Sequence, residues 1–119
     1  MAKIRVAMLK PAEAKTIKLF EDANGHRPYA VWLKGLRDAQ GRRRIIRRVQ
    51  RLERGHYGDC EPVGEGVFEL RLFFGPGYRV YFAEEGKNVI ILLGGGTKDT
   101  QRQDVEVAKA CWKEHRAHG

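Results

Sequence analysis

The stretch that decides the fold runs from Val67 to Gln101 and reads VFELRLFFGPGYRVYFAEEGKNVIILLGGGTKDTQ. Its first part alternates apolar residues with other residues, which is typical of a β-strand with one buried face. Gly75-Pro76-Gly77 predicts a hairpin turn, because glycine adopts positive φ at no steric cost. A second alternating strand and a nearly pure aliphatic strand follow. The stretch therefore predicts three neighbouring strands, at Val67–Phe74, Tyr78–Glu84 and Asn88–Leu93.

The same alternation collects polar side chains on one face of the predicted hairpin. The apolar face carries Phe68, Leu70, Leu72 and Phe74 from the first strand, and Tyr78, Val80 and Phe82 from the second. The other face carries Glu69, Arg71 and Phe73 from the first strand, and Arg79 and Tyr81 from the second. Two arginines and a tyrosine on one side of a small sheet outline an anion-binding site.

The segment ELRLFFGPGYRVYF, followed by IILLGGGTKDTQ and DVEVAKA, resembles the RelE/ParE/HigB superfamily of bacterial toxins, in its phage-derived or addiction-module killer branch. The resemblance covers about Thr16 to Trp112. Its most specific features are GPGYRVYF between two strands and K-x-x-Q before a helix. Members of the superfamily are toxins of type II toxin–antitoxin pairs and inhibit growth. Many cut mRNA on the ribosome without a metal, whereas the ParE branch poisons DNA gyrase.

The resemblance implies roles for basic residues of the sheet. A metal-free ribonuclease must deprotonate a 2′-hydroxyl, stabilise the charge on the phosphorane oxygens and protonate the leaving 5′-oxygen. Arg79 matches the strand arginine of the Y-R-V-Y motif that is functional in the RelE branch. Arg71 falls at a basic catalytic position on the preceding strand, and Lys98 lies near the basic residue after the last strand. Guanidinium stays protonated and matches two phosphate oxygens, so both arginines suit charge stabilisation.

The proton-transfer groups are less well defined by this resemblance. Glu69 stands where some relatives carry a second basic residue, so it is either the proton acceptor or the mark of an altered or lost mechanism. Some relatives carry a catalytic tyrosine on the last helix, where this chain has about Asp104 or Val105. Tyr81 can substitute only if it faces the site. The structural alternative is an Arg71–Glu69 ion pair on an exposed sheet face, with Tyr81 packed nearby.

A second basic feature is the segment from Arg37 to Arg54. It holds eight arginines and two acidic residues, so it carries +6 of the chain's net charge of +8. Asp38 is predicted to cap a helix that Gly55 ends, and Ile45, Val49 and Leu52 form a buried stripe with Ile46 beside it. The arginines predict phosphate contacts; an acidic antitoxin segment or simple solubility are the alternatives. The residues predicted to bind RNA are Arg43, Arg44, Arg47, Arg48, Arg51 and Arg54.

The rest of the chain predicts one RelE-like domain over residues 1–119, with an α+β fold. We expect a small, mostly antiparallel sheet, an N-terminal helical pair on one face and a C-terminal helix. A first strand is predicted at Thr16–Phe20 and a helix from Pro28. Thr100-x-x-Gln103 predicts a capping box for the last helix, which frays from His115. We expect a loop at 55–66, a tight strand exit at 94–96, and a loose arm or extra strand at 1–14.

Composition bounds the partners and the location. The net charge of +8 and the pI near 9.8 predict a polyanionic or acidic protein partner. Cys60 and Cys111 are interpreted as reduced thiols. The chain has no run of 18 apolar residues, so the sequence predicts no membrane span. We expect a cytoplasmic protein without metal or cofactor. Its expected partners are the ribosome, mRNA and an antitoxin, a helix-turn-helix protein encoded beside it. A gyrase poison, and an inactive relative that only binds its antitoxin, remain alternatives.

Overall fold

A computed structural model describes residues 12–118 as a five-stranded mixed sheet with helices on both faces. The elements in chain order are β1 (Thr16–Leu19), α1 (Pro28–Gly35), α2 (Ala39–Glu53), β2 (Cys60–Gly64), β3 (Val67–Leu72), β4 (Tyr78–Glu85), β5 (Val89–Thr97), a 3₁₀ turn (Lys98–Thr100) and α3 (Gln101–His118). The strand order is β1-β5-β4-β3-β2, with β1 parallel to β5 and the other pairs antiparallel. This confirms the predicted α+β fold. The prediction for residues 1–14 falls largely outside the described residues.

The first core layer lies between the sheet and the helical pair α1 and α2. Alternate residues of β3 and β4 point into it, as predicted. Its buried members are Tyr29, Ile45, Leu52, Leu70, Leu72, Tyr78, Val80, Phe82, Ile90 and Leu92. Asp38 caps α2 by accepting from the Gly41 backbone at 2.9 Å, and the Tyr78 hydroxyl donates to Asp38 at 2.9 Å. The cap therefore joins the start of the basic helix to β4.

The second core layer lies between the other face of the sheet and α3. Ala108 and Trp112 of α3 pack there, with Val105 and Cys111 partly buried beside them, so these four residues form the apolar stripe of α3. The sheet contributes Val67, Tyr81, Ala83, Ile91 and Leu93. This face also carries Glu69 and Arg79, which are only 2% and 6% exposed. The predicted polar face is therefore a partly covered cluster rather than an open surface.

Several local predictions were wrong. The segment predicted as a loop contains edge strand β2, which the sequence hides because CEPVG does not alternate and contains proline. The helix-opening cap uses Thr97 and Thr100, with the Thr97 backbone donating to the Thr100 hydroxyl at 3.2 Å. Helix α3 does not fray at His115, whose Nε2 lies 2.7 Å from Glu85. Ile46 is 38% exposed, because it follows Ile45 by about 100° around the helix.

The three glycines near the end of β5 do not form the predicted tight strand exit. Gly94, Gly95 and Gly96 continue the strand and pair with β4, instead of making a tight exit. A Cβ on Gly95 would overlap the Trp32 ring, and a Cβ on Gly96 would overlap the Asp104 carboxylate. Their small size therefore lets α1 and α3 approach the sheet from opposite sides.

We expect Gly95→Ala to destabilise the protein by about 1–3 kcal/mol, because the added methyl must displace the Trp32 ring in a packed layer. The measurement is the free energy of unfolding in denaturant. Gly94→Ala is the matched control, since a Cβ there meets no atom within 4 Å. Equal stability of the two variants would contradict this account of the glycine run.

None of the helices within residues 12–118 combines the length and the apolar character that a membrane span requires. Cys60 and Cys111 are both free thiols.

Candidate active site

Glu69 lies at the centre of a buried polar cluster between β3, β4 and the start of α3. Its Oε2 accepts hydrogen bonds from the Tyr81 hydroxyl at 3.1 Å and from the Gln101 amide at 2.8 Å. The Nε of Arg79 lies 3.9 Å from the same oxygen. A buried carboxylate needs such partners to offset its loss of water. Three elements of the fold therefore hold one carboxylate in place.

Arg79 is the cation of this cluster, and part of its guanidinium is unsatisfied. Its Nη1 donates to the Gly77 carbonyl at 2.7 Å, which fixes one end of the group. Its Nε is buried and has no hydrogen-bond partner among the described residues. A buried N–H without a partner is costly, so it is usually explained by water, an ion or a ligand. The Arg79 guanidinium therefore keeps one N–H without a hydrogen-bond acceptor next to the Glu69 carboxylate.

The hairpin turn brings Lys98 to the same place. Gly77 has φ of 76°, and a Cβ there would lie 3.0 Å from Nη1 of Arg79 and 3.3 Å from Cβ of Lys98. The turn glycine therefore leaves room for the guanidinium and for the chain at Lys98 to come together. Lys98 itself is exposed. The structure thus brings two of the predicted basic residues to one side of the hairpin exit.

Arg71 is engaged elsewhere. It pairs directly with Arg79 across the strands, but its Nη2 donates to Asp59 at 3.0 Å and to Glu61 at 2.9 Å. The hydrogen bond to Asp59 raises the pKa of Arg71 above its usual value. The alternative of an exposed Arg71–Glu69 ion pair is therefore not what forms, because Glu69 is buried and Arg71 pairs with Asp59, just before β2, and with Glu61 of β2.

Tyr81 faces the cluster, as its predicted role requires. Burial and the adjacent Glu69 carboxylate raise the pKa of Tyr81 well above its usual value. The phenol therefore keeps its proton at physiological pH and acts as a hydrogen-bond donor to Glu69. By the resemblance, the last-helix tyrosine of some relatives falls at about Asp104 or Val105. Asp104 accepts a hydrogen bond from the Thr100 hydroxyl, and Val105 packs against the second core layer.

Gln101 is the site residue that the sequence reasoning did not assign. It belongs to the K-x-x-Q motif that carries part of the family resemblance, so a signal was present. Its amide covers Glu69 from the first turn of α3 and is half-buried. Within residues 12–118, His, Cys, Asp and Glu side chains form no group of three or more that could hold a metal ion.

Most arginines of α2 and its C-cap residue Arg54 are exposed, whereas Arg48 is partly buried. Five of the six predicted RNA-binding arginines are exposed, namely Arg43, Arg44, Arg47, Arg51 and Arg54. Arg48 is half-buried and donates to the Tyr57 carbonyl at 2.5 Å, and burial lowers the pKa of its guanidinium. Arg44 lies over the Phe74 ring at 4.6 Å, which brings the helix charge to the hairpin tip.

Comparison with known proteins agrees with the extent of this fold. Residues 31–113 match the family model described as "Phage derived protein Gp49-like (DUF891)". An uncharacterized protein of Haemophilus influenzae strain Rd is 41% identical over 83 residues, which cover 70% of this chain and 84% of that protein. The matched region runs from α1 through most of α3 and contains Glu69, Arg79 and Gln101. The chain therefore belongs to the phage-derived Gp49-like family, a toxin-like family related to the RelE and HigB toxins.

Proposed function

We propose that this chain is the toxin of a type II toxin–antitoxin pair in the RelE/ParE/HigB superfamily, and that it cuts ribosome-bound mRNA without a metal. Membership of a toxin-like family supports the first part and implies an antitoxin partner. The observation that carries the second part is the buried Arg79 guanidinium, whose Nε makes no hydrogen bond among the described residues and lies 3.9 Å from the Glu69 carboxylate. A carboxylate can take up a proton as a general base, and a fixed cation beside it can stabilise the charge on a phosphate.

In this mechanism Glu69 takes the proton of the 2′-hydroxyl, and the 2′-oxygen attacks the adjacent phosphorus. The bond from phosphorus to the 5′-oxygen breaks, and that oxygen takes a proton from solvent beside exposed Lys98. Arg79 and Lys98 stabilise the charge on the phosphorane oxygens. The products are a 2′,3′-cyclic phosphate and a 5′-hydroxyl. Tyr81 holds Glu69 through its hydroxyl, and the substrate's 2′-hydroxyl replaces the half-buried Gln101 amide on Oε2.

The experiment is induction of the chain in growing bacteria, with parallel mapping of RNA ends and of DNA breaks. A nuclease should stop protein synthesis within minutes and create mRNA ends inside translated frames. Those ends should carry 2′,3′-cyclic or 3′-phosphate groups, because the 2′-oxygen is the nucleophile. Growth arrest with intact mRNA would refute the nuclease.

A gyrase poison is the second candidate, and two observations favour it. By the resemblance, Glu69 stands where some relatives carry a second basic residue, and about Asp104 or Val105 falls where some carry a catalytic tyrosine. In that case DNA breaks and the SOS response should precede any loss of mRNA. An inactive relative that only binds its antitoxin would give neither response. Co-purification with a small helix-turn-helix protein encoded beside it is expected in all three cases.

The exposed arginines of α2 are proposed to follow the RNA backbone without reading its sequence. We expect replacement of Arg43, Arg47 and Arg51 by Gln to reduce the slope of log K against log salt by roughly 0.7 to 0.9 for each phosphate that the helix no longer neutralises. The measurement is ribosome binding at several salt concentrations. Replacing Lys34, Lys87 and Lys113 by Gln is the matched control, because it lowers the net charge equally from exposed sites elsewhere. Equal slopes for the two triple variants would assign α2 to the antitoxin or to solubility.

A further inference from the structure

Phe73 is a large aromatic side chain that lies outside both core layers. It is 74% exposed and belongs to neither core layer, whereas the adjacent Phe74 packs against the first layer. Single exposed apolar residues are common and need no explanation by themselves. Phe73 differs because a cation lies against it: the Arg71 guanidinium is 5.5 Å from the ring centre.

The surroundings of Phe73 fix one side of its ring and leave the other open. Arg71 is anchored by Asp59 and Glu61, so the guanidinium that supports the ring is itself held in place. The high exposure of Phe73 shows that the rest of the ring faces solvent. The ion pairs to Asp59 and Glu61 therefore make Arg71 a support for an exposed aromatic surface.

This aromatic surface adjoins Arg79, the residue proposed to hold a phosphate. Arg71 is the direct strand partner of Arg79, and Phe73 follows Arg71 by two residues on the same side of the chain. On the far side of the hairpin tip, Arg44 lies over Phe74. The exposed Phe73 ring is thus held by the strand partner of Arg79, whose Nε makes no hydrogen bond among residues 12–118.

We propose that Phe73 is a stacking platform for one base of single-stranded RNA, next to the nucleotide whose phosphate Arg79 holds. Aromatic rings bind unpaired bases of any sequence through stacking, while guanidinium groups hold the backbone. A paired duplex cannot use such a platform, because its bases are stacked on each other. This inference rests on the proposed function, since it names the part of the substrate that lies beside the cut.

The test uses the full chain and a six-nucleotide 2′-O-methyl RNA, which binds but offers no 2′-hydroxyl for cleavage. The loss of one stacked base predicts that Phe73→Ala binds this RNA about 5- to 150-fold more weakly. Phe73→Trp should bind it at least as tightly as the wild type. Val31→Ala should bind like the wild type, because Val31 is 64% exposed on α1, in the opposite layer.

A second set of RNAs separates stacking from a general change in shape. An abasic site is placed at each of the six positions in turn. One of these RNAs should bind the wild type more weakly by about the factor that Phe73→Ala causes, and should show no further loss with Phe73→Ala. Equal RNA affinity of Phe73→Ala and the wild type would overturn the inference. So would an equal abasic effect in both proteins, or a loss confined to antitoxin binding.

The outcome is separable from that of the proposed function. A wild-type chain that stacks a base but leaves cellular mRNA intact would refute the nuclease and keep the platform. A chain that cuts mRNA, with RNA affinity unchanged in Phe73→Ala, would keep the nuclease and refute the platform.

Discussion

Replacement of Arg79 by alanine should abolish growth inhibition, with a loss of about 10²–10³ in the rate of mRNA cleavage. The physical reason is that Arg79 is the one cation placed within 4 Å of Glu69 among the described residues, and its Nε makes no hydrogen bond there. Removing it takes away the cation that is proposed to stabilise the charge on the phosphorane oxygens. The measurements are growth after induction and single-turnover cleavage of ribosome-bound mRNA by the purified chain.

The control for this prediction must separate catalysis from folding. Arg79→Ala leaves the buried Glu69 without its cation, which can lower stability. Arg79→Lys keeps the charge but loses the second donor direction, so it should fold normally and cut at an intermediate rate. Wild-type growth arrest by Arg79→Ala, at equal expression and with an unchanged melting curve, would reject the catalytic assignment.

Replacement of Glu69 by glutamine should lower the cleavage rate by about 10²–10⁴, with little change in RNA affinity. The amide has the same shape, and its oxygen can still accept from Tyr81 and Gln101, so the cluster keeps its geometry. It cannot take up the proton of the 2′-hydroxyl. The measurements are the single-turnover rate and, separately, the dissociation constant for uncleavable RNA.

Glu84→Gln is the matched control for this change. Glu84 lies on the neighbouring strand, is exposed, and accepts a hydrogen bond from Tyr57 outside the cluster. Its replacement should leave the cleavage rate within a factor of about two of the wild type, as for a surface substitution of small effect. Cleavage by Glu69→Gln at the wild-type rate would remove Glu69 from the mechanism, and would leave Arg79 as a residue for binding alone.

The sequence was sufficient for the parts of the fold that follow from periodicity. Alternation in β3 and β4 assigned Leu70 and Val80 to one face and Glu69 and Tyr81 to the other, and the structure confirms both assignments. The cap at Asp38 was predictable as well, because an aspartate just before a helical apolar stripe can accept a hydrogen bond from the backbone of the first turn. Local patterns therefore carried most of the architecture.

The candidate site could be predicted only in part, because its geometry depends on long-range packing. The sequence placed Arg71 and Arg79 on one face, but it gave no sign that Asp59 and Glu61, at the start of β2, would be the partners of Arg71. It also gave no sign that α3 would cover Glu69, since that depends on glycine at position 96 admitting Asp104. Interactions between residues far apart in the chain decided which carboxylates pair with Arg71 and which with Arg79.

The most direct test of the central claim uses purified translating ribosomes, a defined mRNA and the purified chain. We predict that the wild type cuts the ribosome-bound mRNA in the presence of a metal chelator that leaves the ribosome intact. The upstream fragment should end in a 2′,3′-cyclic phosphate, and the downstream fragment should begin with a 5′-hydroxyl. Glu69→Gln should bind the same complexes and leave the mRNA whole. Intact mRNA with active wild-type chain, or fragments that carry a 5′-phosphate, would contradict the proposed mechanism.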